Sequence, residues 1–270
     1  MDRISTGQAP IGRLELVSRQ LDYWVTVYRR TWRGTIITSF LMPLLYVAAM
    51  GVLLGGFIEG DPARLEGATS YLTFVVPGLV AAHAMQVATG ETMYPVMGSL
   101  KWAKTYYGQI ATPLRPSDIV AAQLLYVAFR VASACGVFLL VVAVFGIFGS
   151  VSSLLLAWLV QVLTGLAFAT VFFGFSATLR QESAFSVVQR LVIIPQFLFS
   201  GAFFPIANLS APLELLARVT PLWHSVDLTR MILLEQVDGG QALVHLGYLG
   251  VMTVVGWWFA AWALTRRLAL

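Results

Sequence analysis

What most restricts this chain is where its charges are absent. Its 17 Lys and Arg and 13 Asp and Glu residues gather in short stretches, and the segments between them are too long and too apolar for a water-soluble fold. A hydrocarbon core about 30 Å thick is crossed by roughly 20 apolar residues in helical form, and a charge at its centre costs several kcal/mol. Thr35 to Phe57, Val131 to Phe148, Val151 to Leu179 and Leu246 to Leu264 contain no Asp, Glu, Lys or Arg. Tyr71 to Met93 carries His83 and Glu91, and a segment beginning near Val187 is interrupted by Pro195, Gln196, Gly201 and Pro205. The first of these two reads as a full span and the second as a shorter, broken one, which makes six.

Composition agrees: 58% of residues are hydrophobic and 11% charged, against about a quarter charged in an ordinary soluble domain. The expected fold is all-α and integral to the membrane. Spans fall at about 35–57, 71–93, 119–148, 151–179, 187–206 and 246–264. Residues 1–34 supply an interfacial region, and 35–270 form one membrane domain with a re-entrant hairpin between the last two spans. No room remains for a soluble catalytic module, so any such module is another chain.

Positively charged loops stay in the cytoplasm. With the amino terminus inside, Arg3, Arg13, Arg19, Arg29, Arg30, Arg33, Lys101, Lys104, Arg115, Arg180, Arg190, Arg266 and Arg267 share that side, against Arg64, Arg218 and Arg230 outside. Both termini are then cytoplasmic. Anionic inner-leaflet lipid accounts for the sequence pI of about 9.4 without any nucleic acid. The first 34 residues have no apolar core of the kind a cleaved secretion signal needs, so Thr35 to Phe57 is expected to act as an uncleaved one. The lone Cys135 lies in an apolar run and reads as a packing residue.

Leu14, Val17, Leu21, Trp24, Val25, Tyr28 and Trp32 recur at helical spacing, with Arg13, Arg19, Arg29, Arg30 and Arg33 between them. This is the pattern of a helix lying in the membrane interface, with rings at headgroup depth and arginines toward anionic lipid; a helix packed against the bundle has the same spacing. Gly98 to Asp118 is the longest cytoplasmic connection. Pro113 and Pro116 end any helix that starts near Ser99, and Ser117 or Asp118 can cap the next one. The expected product is a short exposed helix carrying Trp102, Tyr106 and Tyr107 beside Lys101 and Lys104. Such aromatics suit a protein contact, and they suit anchoring at the membrane surface equally well.

Outside, Ser200 to Arg230 is too long for a plain turn. Leu213, Leu216, Val219 and Leu222 follow helical spacing before and across Pro221, and Pro195, Gly201 and Pro205 allow the chain to dip back into the membrane. Inside the membrane, His83 and Gln86 lie one turn apart and, with Glu91, are candidate pathway residues; helix-to-helix hydrogen bonding is the commoner use of such groups. Arg130 is placed to neutralise Glu91. His224 and Asp227 are three apart and make no metal site by themselves, and His245 is too distant in sequence to be grouped with them.

Three runs appear in order: Glu91-Thr-Met-Tyr; Ala111-Thr-Pro-Leu-Arg-Pro-Ser-Asp-Ile-Val; and Ser200-Gly-Ala-Phe-Phe-Pro followed by Pro221-Leu-Trp-His-Ser-Val-Asp-Leu-Thr-Arg230. Together they resemble the type-2 ATP-binding-cassette permease family, most of all its branch of nodulation-factor, drug and polysaccharide exporters. After Phe204-Pro205 the family often opens its outer helix with Leu-Pro, where this chain has Leu209-Ser-Ala-Pro212. The resemblance implies a permease subunit that dimerises with a second copy or a paralogue and works with two separate cytoplasmic ATPase subunits, moving an amphipathic substrate outward. It implies that Leu100, Lys101, Trp102, Lys104, Thr105, Tyr106 and Tyr107 form a coupling helix seated in an ATPase cleft. Leu14, Leu21, Trp24, Tyr28, Arg29, Arg30 and Trp32 would mark a second docking element. The sequence contains no Gly-x-x-x-x-Gly-Lys-Ser/Thr loop, so ATP and Mg are expected on the partner, with no cofactor, catalytic residue or metal on this chain. An ion-coupled secondary transporter is the alternative, and it would usually show repeated halves and intramembrane acids. A membrane-embedded enzyme would need clustered His or carboxylate ligands near one interface.

Overall fold

The computed structural model describes residues 12–49, 65–148 and 150–269, and among these it is helical with no strand. The helices are α1 (Arg13–Val47), α2 (Tyr71–Met97), α3 (Thr105–Ile110), α4 (Pro116–Val144), α5 (Val151–Thr178), α6 (Ser183–Val188), α7 (Ile194–Phe199), α8 (Ala211–Val219), α9 (Pro221–Leu233) and α10 (Gly239–Leu268). Wider π-helical turns extend α2 through Gly98–Trp102 and join α6 to α7 through Gln189–Ile193. Among the described residues, four rods are long and apolar enough to cross a membrane: Tyr71–Trp102, Pro116–Val144, Val151–Thr178 and Gly239–Leu268. The rod Ser183–Phe199 is shorter, at about 1.5 Å per residue close to 25 Å, and ends before Gly201. Residues 50–57 of the first expected span lie outside the described residues, as does all but the last residue of the 1–12 stretch.

Two expectations about the amino-terminal region change. The expected interfacial helix and the start of the first span are one uninterrupted helix, α1, because only Gly34 weakens the junction, and a single helical glycine costs about 1 kcal/mol. That helix lies on α4. Trp24 is 9% exposed and stacks on Tyr126 at 4.8 Å, and Tyr28 meets Phe129 edge-on at 5.3 Å. The apolar stripe is therefore spent largely on the bundle.

α5 sits centrally, packed against α2, α4, α9 and α10. Its face toward α9 is polar: Gln161 donates to Thr229 at 2.8 Å, and the Thr164 and Ser225 hydroxyls lie 2.6 Å apart. Buried hydrogen bonds of this kind fix one register between two helices whose apolar surfaces alone would slide. α8 begins at Ala211 with Pro212 in its first turn, so the Leu-Ser-Ala-Pro variant still opens a helix. Leu213, Leu216 and Val219 face outward on α8, and Leu222 is buried at the start of α9. The Ser200–Pro205 segment lies on α2 closely enough that a Cβ on Gly78 would fall 2.4 Å from the Ala202 Cα, and Gly201 turns with φ of +78°.

Candidate functional site

One end of the bundle carries an elbow. α2 runs through its π turn to Trp102, the chain reverses at Lys104, whose φ is +51°, and α3 starts at Thr105. The single short helix expected from Ser99 onward is thus split, because a non-glycine residue in the left-handed region ends one helix and aims the next. α4 then starts at Pro116 with Arg115 at its N-cap, so Ser117 and Asp118, expected to cap it, lie inside the first turn, where the Asp118 carboxylate accepts from the Arg115 N–H at 2.9 Å.

The elbow sorts its side chains into two sets. Trp102 is 55% exposed and Tyr107 39%, with Lys101 and Lys104 also outward and Thr105 half-buried. Leu100 and Tyr106 point inward, Tyr106 at 1% exposure. A residue so enclosed cannot touch a partner, which corrects the expectation for Tyr106 and Leu100. The Tyr106 hydroxyl donates to the Gln123 side-chain oxygen, and burial pushes its pKa well up, which keeps it the donor. The Gln123 amide in turn donates to the Glu91 backbone carbonyl at 3.3 Å. Lys101 pairs with Glu182 at 2.9 Å, joining the elbow to the turn before α6.

Of the three candidate pathway residues, the structure separates all three. Glu91 is tied to Arg130 at 2.8 Å, as their positions led us to expect, and the Arg130 guanidinium lies 5.4 Å from the Tyr28 ring centre. His83 packs edge-on against Phe138 at 5.9 Å and is not part of the lining that holds Gln86. Gln86 lines a cavity of about 740 Å³ between α2 and the α6–α7 rod, together with Thr89, Gly90, Phe185, Gln189 and Arg190.

At the opposite end two clusters form that sequence spacing had not joined. Arg230 is 4% exposed; it donates to Glu66, to the Gly201 carbonyl at 2.6 Å and to the Phe74 carbonyl at 3.3 Å, with its guanidinium 4.1 Å from the Phe74 ring centre. The two sequence runs beginning at Ser200 and Pro221 are therefore pinned together by the last residue of the second. His224 and His245 face each other through Nδ1 atoms 2.7 Å apart, and His245 Nε2 lies 3.0 Å from Asp227. At that separation the two rings share one proton, and a second would set two N–H groups against each other. Burial and the facing His245 lower the His224 pKa to about 4. The only signal for the cluster in the sequence was the Asp238-Gly-Gly cap that starts α10 early and brings His245 onto α9: the Asp238 carboxylate accepts from Gly240 at 2.8 Å and Gln241 at 3.1 Å.

Comparison with known proteins matches the family model of the ABC-2 type transporter to residues 20–234. Nodulation protein J of Rhizobium leguminosarum bv. trifolii is 35% identical over 254 residues, covering 91% of this chain and 94% of that protein. The same-named protein of Rhizobium meliloti is 34% identical over 256 residues, at 91% and 94% coverage, and that of Neorhizobium galegae 30% over 275 residues, at 99% of each chain. With apolar membrane rods, an aromatic elbow and this similarity running across most of its length, the chain belongs to the ABC-2 type transporter family as a membrane permease component.

Proposed function

We propose that this chain is the permease subunit of an exporter in which separate ATPase subunits hydrolyse ATP with Mg and drive an amphipathic substrate outward. The observation that carries it is the elbow: Trp102 and Tyr107 stand out at its tip, while Tyr106 fastens it from within to α4 and, through Gln123, to α2. Large exposed aromatics next to Lys101 and Lys104 on a rigid base are suited to a protein groove. Displacement of that base pulls on the helix that lines the cavity, which is what a bistable transport domain requires of its drive element.

The same reading takes six spans with both ends in the cytoplasm, a plasma-membrane location, and a dimer of this chain with itself or a paralogue. The substrate is of the class the resemblance implies: a lipo-oligosaccharide, polysaccharide, glycolipid or drug. Arg29 and Arg30, exposed on α1, remain available to headgroups or a partner, whereas Trp24 and Tyr28 are engaged with α4. Leu21 is half-buried, and the Leu14 side chain is outside the described set. Against an ion-coupled transporter, Glu91 of α2 is already neutralised by Arg130.

Affinity purification in mild detergent tests this, with an ATPase assay on wild type beside Trp102→Ala, Tyr107→Ala and Tyr106→Phe. An ATP-binding subunit is expected to co-purify, to be lost with the first two variants and kept with the third. Recovery of the folded permease alone, without ATPase activity, would refute the exporter.

A further inference from the structure

Arg190 is the only charged residue in the rod Ser183–Phe199. It lies seven residues from the start, about 10 Å along the rod. An arginine within an apolar rod is costly wherever the rod lies in hydrocarbon, and there tends to mark a ligand or ion route. Among the described residues it has no hydrogen bond or ion pair, and the acids of the flanking elements are committed elsewhere, Glu91 to Arg130 and Glu182 to Lys101. What it does face is the 740 Å³ cavity, a volume suited to a drug-sized ligand or headgroup.

The lining has two characters. Arg190, Gln86 and Gln189 give a planar cationic fork and two amides, a set that holds a phosphate, sulfate or carboxylate and neighbouring hydroxyls. Met93, Ile193 and Ile194 continue the wall as an apolar surface. On the α2 side Gly90 leaves the space open, with nothing within 4 Å of where its Cβ would lie.

We propose that this cavity binds the anionic headgroup of the transported amphiphile, with Arg190 as its counter-charge and Gln86 and Gln189 holding the adjoining polar atoms. That the occupant is transported rests on the export reading above. Its apolar chain runs along Ile193 and Ile194 toward the hydrocarbon.

The test uses the full chain in phosphatidylcholine nanodiscs, titrated with fluorescent lysophosphatidic acid and with lysophosphatidylcholine bearing the same label and chain. Wild type is expected to prefer the anionic probe by about tenfold, the scale of one charge-assisted hydrogen bond. Arg190→Gln is expected to abolish the preference, and Arg190→Lys to keep part of it. Gly90→Leu fills the cavity without touching Arg190 and removes an unfavourable helical glycine, so it is expected to fold normally and weaken both probes.

An unchanged preference in Arg190→Gln overturns the site, as does undiminished binding in Gly90→Leu. Displacement of the probe by phosphatidylglycerol mixed into the disc shows an ordinary bilayer lipid as occupant and overturns the substrate assignment. A change of oligomeric state in Arg190→Gln without a change of affinity makes Arg190 a contact between copies and likewise overturns it. Co-purification of an ATPase is scored on the same preparations. Its absence beside an intact preference defeats the export reading and with it the claim of transport; its presence beside no preference defeats the headgroup site alone.

Discussion

Arg230 and Arg190 sit on neighbouring stretches of chain, and the fold treats them in opposite ways. Arg230 is enclosed at one end of the bundle with a carboxylate, two carbonyls and a ring around it. Arg190 is exposed to a cavity and has no partner among the described residues. Arg130 lies between these extremes, half-buried with one carboxylate and one ring. An ion pair enclosed by protein resists removal of either member, because the survivor is left buried and uncompensated. A charge that faces open space contributes little to folding and remains available to a ligand. The fold thus separates a cation that holds structure from one that is free to do something else.

That contrast predicts a ranked series. Arg230→Gln is expected to cost the most, about 3 kcal/mol, since three acceptors lose their donor and the Ser200–Pro205 segment its tie to α9; thermal unfolding in detergent measures it. Glu91→Gln is expected to cost about 2 kcal/mol by leaving Arg130 unpaired, and reversing both charges together should recover part of what either single reversal loses. Tyr106→Phe should cost about 1 kcal/mol, the Gln123 oxygen being left without its donor. Arg190→Gln should shift stability by less than about 0.5 kcal/mol, as surface changes do. If Arg190→Gln proved as destabilising as Arg230→Gln, the contrast would collapse.

A finer test lies in pH. His224 titrates at about 4 against an ordinary 6.5, so between these values the unfolded chain takes up the proton and the folded one does not. The α9–α10 contact is therefore expected to be intact above pH 6.5 and to weaken steadily as pH falls toward 4. Hydrogen exchange of the α9 amides follows this, and His224→Gln should flatten the dependence.

Much of the fold was legible because water-exposed charge and membrane-buried helix exclude each other. The charge-free runs located α4, α5 and α10, and α2 stood out despite His83 and Glu91. Helix ends were read less well. α10 starts at Gly239, seven residues before the apolar run, because Asp238 caps it, and α1 continues across the point where its composition changes. Periodicity could show that Leu14 to Trp32 has an apolar stripe; it could not say whether that stripe meets lipid or α4, since both are apolar.

The functional residues divide along the same line. Trp102 and Tyr107 were found as exposed aromatics, and they are exposed. Tyr106, with the same side chain one position away, is buried, because the reversal at Lys104 turns consecutive α3 residues about 100° apart onto opposite surfaces. Gln123, thirty-two residues from Glu91, and His245, twenty-one from His224, gave no local sign of their partners.

The sequence by itself determined that the chain is a helical membrane protein with exposed aromatics, Trp102 and Tyr107, in its longest basic connection, since hydrophobicity and charge act residue by residue and need no neighbours to be read. Only the tertiary structure decided which of its arginines are neutralised, which of two adjacent tyrosines faces out, and that a cavity lies beside Arg190. Those outcomes depend on which helix faces occupy the same space, and helix packing is set by side chains far apart in the chain.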